Sequence, residues 1–199
     1  MKTVILLILV TLAPLVRAEP PSPELVTSLL DAVGGEVKML RVFRFKETLI
    51  VGKGDPISRE SILAPPEHWW VGKRDRAEEE KEPAAFLVWA WTLAPLRDAK
   101  SQLDIVADAK LDDKPAIGIR VSGRTETPML LLFDATTKRL ARIDWRGDSN
   151  RFSDWQQLDG LWYPAKCAGY KPDGREWYRT ELLEVERLTE IPAHLKPKQ

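Results

Sequence analysis

The chain predicts an α+β fold: a strongly curved antiparallel sheet, an incomplete β-barrel of about nine or ten strands, closed by one or two helices. Three observations carry that expectation. Residues 128–188 read as successive runs of strand-forming residues separated by tight polar turns, which is the pattern of an antiparallel meander. An amphipathic stretch beginning near residue 22 carries one apolar stripe, and a stripe of that kind needs a sheet to cover it. Residues 84–93 are apolar on every side and so belong inside the molecule.

At the N-terminus, Lys2 precedes the apolar run 4–13, and Val16-Arg17-Ala18 supplies a small residue before a possible cut. This is the pattern of a secretory signal peptide. The run is well short of the ~20 residues that cross a bilayer, and Pro14 and Arg17 close it. The expectation is a signal peptide over residues 1–18 cleaved near Ala18, a single domain over 19–199, a periplasmic or otherwise extracytoplasmic location, and no integral membrane segment. Glu19 stands where a lipoprotein would need its cysteine.

Ser22 is placed to cap a helix with Pro23 in its first position; Leu25, Val26, Leu29, Leu30 and Val33 share a face, and Gly34-Gly35 stops it. Residues 41–51, rich in Val, Phe, Thr and Ile, read as a strand with poor alternation. Gly52-Lys53-Gly54-Asp55-Pro56 turns the chain, and short strands follow at 57–64 and 68–72 around Pro65-Pro66. The charged run 73–82 reads as a solvated loop or exposed helical turn. Over 83–96, two alanines and Pro83 favour a helix lying inside or across the sheet, whereas Trp89 and Trp91 at i, i+2 would suit a strand.

Residues 102–107 and 115–122 form a hairpin around Leu111-Asp112-Asp113-Lys114, and strands at 129–133, 140–145, 151–157, 161–170 and 175–188 complete the sheet. Their turns, Asp134 to Lys138, Arg146 to Asn150, Leu158-Asp159-Gly160 and Lys171-Pro172-Asp173-Gly174, are rich in residues that accept left-handed backbone or preset a turn.

Composition excludes several functions. With 30 basic and 30 acidic residues, and 28 basic once Lys2 and Arg17 are removed, no basic field argues for nucleic acid. The single cysteine forbids an intramolecular disulfide, so the core alone must hold an exported domain. Two histidines, His68 and His194, cannot build a three-histidine metal site. Cys167 has no histidine near it in sequence and reads as an inert thiol. No nucleophile elbow, phosphate-binding loop or His-Glu-x-x-His is present, while Asp112-Asp113 and Asp154 sit at turns or strand edges where a solvated Asp is usual. The chain is read as no enzyme, with no cofactor and no metal.

The series Leu131-Leu132-Phe133-Asp134-Ala135-Thr136-Thr137-Lys138-Arg139-Leu140, then Phe152-Ser153-Asp154-Trp155, then Leu158-Asp159-Gly160-Leu161-Trp162-Tyr163-Pro164, resembles the strand series of LolA/LolB-like exported proteins. The likeness extends over most of the expected mature chain. It implies a strongly bent antiparallel half-barrel with helices closing its open face around an apolar cavity. Characterised members of that family shelter lipoprotein acyl chains in such a cavity. No carrier motif maps residue by residue, so the resemblance implies a fold and a cavity and names no site.

The function expected is therefore that of an exported binding protein holding a lipid, acyl chain or other apolar moiety, with lipid or lipoprotein acyl chains as partners. The alternative is a structural or interaction module whose barrel is filled by its own side chains and whose outer face docks an envelope protein. Eight tryptophans serve either reading, as cavity lining or as core. The cavity candidates are Trp69, Trp70, Phe86, Trp89, Trp91, Leu93 and Trp145.

Overall fold

A computed structural model of the protein describes residues 19–196. The expected signal peptide and its cleavage near Ala18 lie outside the described residues. Among the described residues there are four α-helices: α1 (Pro23–Asp31), α2 (Glu36–Met39), α3 (Arg76–Glu79) and α4 (Lys81–Thr92). The strands are β1 (Val42–Val51), β2 (Ile57–Ala64), β3 (His68–Val71), β4 (Arg74–Asp75), β5 (Gln102–Val106) and β6 (Lys110–Leu111). They continue with β7 (Lys114–Ser122), β8 (Met129–Asp134), β9 (Leu140–Trp145), β10 (Asp148–Leu158), β11 (Leu161–Tyr170) and β12 (Glu176–Leu188).

All twelve belong to one antiparallel sheet in the order β4-β3-β2-β1-β12-β11-β10-β9-β8-β7-β5, with β6 paired to β7. The sheet has two ends and does not close. Ten strands are four residues or longer; the other two, β4 and β6, have two residues each and raise the count above the nine or ten expected. Two meanders are joined where β1 pairs β12, so that Val42 lies opposite Leu188. Three hairpins turn at Asp112-Asp113 (φ 48° and 64°), Arg146-Gly147 (53° and 82°) and Asp159-Gly160 (49° and 76°). Two successive left-handed residues make the turn whose twist matches a right-twisted strand pair.

The Ser22 hydroxyl caps α1 by accepting the Leu25 amide at 3.2 Å, with Pro23 in the first turn where its missing N–H costs nothing. Val26, Leu29 and Leu30 are buried, and the Trp162 amide donates to the Val33 carbonyl at 2.9 Å, tying the helix end to β11. Helix α4 confirms the helical reading of the apolar segment but begins at Lys81, ahead of Pro83. The charged run 73–82 is thus divided among β4, α3 and the first turn of α4, with Asp75 capping α3 through the Ala77 amide at 2.9 Å. Leu93, in the left-handed region at φ 50°, ends α4, and a 3₁₀ turn, Ala94–Leu96, follows.

One face of the sheet, the inner face, carries the main core. Ile119, Val121, Met129, Leu131 and Phe133 from β7 and β8 join α1 and the buried residues of α4 in a single cluster. On the outer face, Ile62, Ala64 and Trp70 form a separate cluster with Leu195, so the chain after β12 folds back over β2 and β3.

Candidate functional site

At the other half of the sheet the inner face is not filled. A cavity of about 410 Å³ lies between α4 and the inward residues of β1, β12, β11 and β10, with Arg59 of β2 and Trp69 of β3 at one side. Side-chain volume explains it. The ladder aligns Leu49, Thr180, Cys167 and Phe152 in one row across four strands, and Val51, Tyr178, Gly169 and Asn150 in the next. Thr180, Cys167 and Gly169 are small, as is the neighbouring Ala165, where β7 and β8 present branched aliphatics and Phe133. A roof spaced by large residues elsewhere leaves room above small ones.

A β-bulge shapes one end. Register steps from Gly169 opposite Tyr178 to Tyr170 opposite Glu176, which leaves Trp177 without a register partner on β11. Trp177 and Tyr178, neighbours in sequence, therefore both border the cavity, and their rings meet edge to face at 4.5 Å. The Tyr178 ring lies over Gly169, so any β-carbon there would collide with it. Tyr178 Oη donates to Asn150 Oδ1 at 2.8 Å and lies 3.4 Å from Cys167 Sγ, while Asn150 Nδ2 donates to the Ile143 carbonyl at 3.2 Å. Burial pushes the Cys167 thiol up to about 12 and pushes the Tyr178 phenol up from its ordinary 10.0, with the adjacent Cys167 adding to the latter. Both groups are neutral at neutral pH, and the thiol is no nucleophile.

At the opposite end the buried Glu47 accepts from Arg59 Nε at 2.6 Å. Ser61 Oγ, 3.4 Å from the same carboxylate oxygen, accepts from Trp69 Nε1 at 3.1 Å. The guanidinium groups of Arg59 and Arg76 lie 5.3 and 5.5 Å from the centre of the Trp69 ring. Above the floor, Phe86 of α4 stacks on Trp145 at 5.6 Å, Trp91 stacks on Phe45 at 5.0 Å, and Glu82 pairs with Arg146.

Of the residues singled out by sequence, Trp69, Phe86, Trp91 and Trp145 border this cavity. Trp70 points to the outer face, as strand alternation requires of the residue after Trp69. Trp89 is fully buried in the core, its indole donating to the Pro66 carbonyl at 3.2 Å; two residues along a helix is a turn of about 200°, so Trp89 and Trp91 cannot share a surface. Leu93 borders a gap of about 10 Å³, no larger than one water. Sequence reasoning missed Glu47, Arg59, Asn150, Trp177, Tyr178 and Thr180. Glu47 had a signal: it falls in step with the inward Phe43 and Phe45, an acid at a core position of a period-2 strand. Trp177 and Tyr178 had none, since a bulge has no local sequence mark here.

Among the described residues, no group of three or more His, Cys, Asp and Glu is placed to hold a metal ion, and no helix is long and apolar enough to cross a membrane. No protein-family model matches the chain, and no curated protein matches its sequence. Solved structures do match. A LolA superfamily protein from Nitrosomonas europaea superposes over 89% of this chain and 98% of its own, with a TM-score of 0.55 at 8% identity. The fold is LolA-like. A putative outer membrane lipoprotein-sorting protein domain from Vibrio parahaemolyticus matches over 85% of this chain and 93% of its own, with a TM-score of 0.55 and 10% identity. A DUF1329 family protein from Desulfovibrio piger covers 87% and 95%, at 0.53 and 10%. The LolA-like half-barrel thus appears here with its sheet open, α4 across the inner face and a cavity between them.

Proposed function

We propose that this chain is an extracytoplasmic binding protein that shelters an acyl chain or other apolar moiety between α4 and the β1–β12–β11–β10 floor. The observation that supports it is the cavity itself, of a size usual for small-molecule sites and roofed by Phe86, Leu87 and Trp91. Each methylene removed from water there contributes about 0.8 kcal/mol. The lipoprotein-sorting description of one structural neighbour accords with such cargo, and the N-terminal pattern accords with export and with cleavage near Ala18. An envelope protein that delivers or receives the cargo is the partner this reading requires.

The test is to express the full chain, recover it from the periplasm and compare native mass spectrometry with lipid extraction. A bound apolar species near one per chain is expected. A clean protein mass, with no uptake of N-phenyl-1-naphthylamine, would leave the interaction-module reading in its place.

A further inference from the structure

The cavity has an open end and a blind end. Val51, which borders it, is 47% exposed, and Ile57, directly opposite Leu49 on β2 and so on the same face, is 53% exposed. They are two of the four large apolar side chains left exposed among the described residues, and they stand together at the hairpin end of β1 and β2. An exposed apolar rim continuous with an apolar cleft is where a greasy chain enters.

At the other end, six β1 residues or about 20 Å from Val51, Trp91 stacks on Phe45 at 5.0 Å and lies 6.0 Å from the Tyr163 ring. Trp91 is only 6% exposed, and its backbone is held. Helix α4 ends one residue later at Thr92, whose hydroxyl donates to the Val88 carbonyl at 2.7 Å and accepts the Ala94 amide at 3.3 Å.

Behind Trp91 lies the small gap that Leu93 borders, walled also by Val33, Met39, Leu140 and Leu161. Two residues, Trp91 and Pro164, border both this gap and the cavity. Pro164 belongs to the floor strand β11 and its ring is fixed to the backbone, so the Trp91 indole is the part of the partition that a side-chain change removes. Both sides of the partition are apolar, with Ala165 and Leu182 before it and buried Val33, Leu140 and Leu161 behind it. Without the indole the cavity would lengthen into the core.

Resting on the binding reading above, we infer that Trp91 is the stop that sets the length of acyl chain the cavity holds. A chain entering past Val51 and Ile57 runs beneath α4 until its terminal methyl meets the indole, and its polar end stays at the rim. Each methylene up to the stop leaves water and tightens binding about fourfold; any further methylene remains outside the rim and adds nothing.

Displacement of N-phenyl-1-naphthylamine from the purified full chain tests this, with octanoate, decanoate, laurate, myristate, palmitate and stearate as probes, each below its aggregation concentration. In the wild type, affinity is expected to rise through the shorter acids and to level off, within about twofold, before stearate. Trp91→Ala is expected to carry the rise further, so that the affinity of stearate relative to laurate increases at least tenfold over the wild type; Trp91→Leu serves if Trp91→Ala does not fold. Leu161→Ala, which enlarges the gap without breaching the partition, is expected to leave that ratio unchanged. The inference is overturned by a wild type that gains with every methylene through stearate, by a ratio unmoved in the Trp91 variant, by an equal shift in Leu161→Ala, or by no displacement with any acid, and apolar binding would still stand. Failure of the naphthylamine itself to bind sinks the binding reading beneath it.

Discussion

Thr180, Cys167 and Gly169 occupy floor positions whose counterparts in the other half of the sheet are Ile119, Leu131 and Phe133, and this difference in volume makes the cavity. Gly169 has the strictest requirement, because the Tyr178 ring rests on its backbone. Gly169→Ala is therefore expected to displace that ring and lower stability by about 1–3 kcal/mol, the usual cost of overpacking, read from the urea midpoint at an unchanged slope. The same burial that keeps Cys167 and Tyr178 neutral makes stability depend on pH. The thiol titrates at 9.0 unfolded and near 12 folded, so above pH 9 the unfolded chain releases a proton that the native state retains. Stabilisation is complete below pH 9 and is lost as pH rises toward 12, with the raised Tyr178 phenol adding to the fall above about 10. Urea midpoints at pH 7, 9 and 10.5 should decline in that order, and Cys167→Ala should flatten the decline between 9 and 10.5. A midpoint independent of pH over this range would contradict the burial of both groups.

Most individual elements follow local rules, and two departures bear on the site. Strands β2, β9 and β11 have the bounds their residue patterns give, and α1 starts where Ser22 and Pro23 start it. The hairpin turns obey backbone chemistry closely enough to be improved. Asp113, exposed at φ 64°, carries a left-handed strain that glycine would not, whereas its neighbour Asp112 holds Arg151 through two bonds of 2.7 Å and should be kept. Asp113→Gly is expected to raise stability by up to about 1 kcal/mol, and a lower thermal midpoint would show that the turn is not under that strain. The first of these departures is the bulge at Trp177, which turns two adjacent aromatics to one face. The second is α4, apolar on every side, whose periodicity carries no direction; seven of its twelve residues are buried, and only packing decides that Trp91 meets the cavity and Trp89 the core.

For the whole molecule, the decisive contact is β1 with β12, which brings together residues 42 and 188 and joins the two meanders into one floor. Strand β12 lies between β1 and β11, so removing it strips a partner from each. A chain ending at Tyr170 is expected to show no cooperative urea transition, and a sharp transition in that truncated form would mean that the β5–β11 meander folds alone. The sequence by itself determined the longer elements, the antiparallel meander, the curved α+β architecture and the type of residue expected to line a cavity, because hydrophobic period, capping and turn chemistry act over a few residues; the short α2, β4, α3 and β6 were not legible in it. Tertiary structure alone decided where the cavity lies and which of the named side chains reach it: Trp69, Phe86, Trp91 and Trp145 border it, while Trp70, Trp89 and Leu93 pack elsewhere. The physical reason is that alternation fixes the side of a sheet on which a residue stands. Whether the space above it is filled depends on volumes contributed by strands far apart in sequence, and on a register that one extra residue at Trp177 shifts.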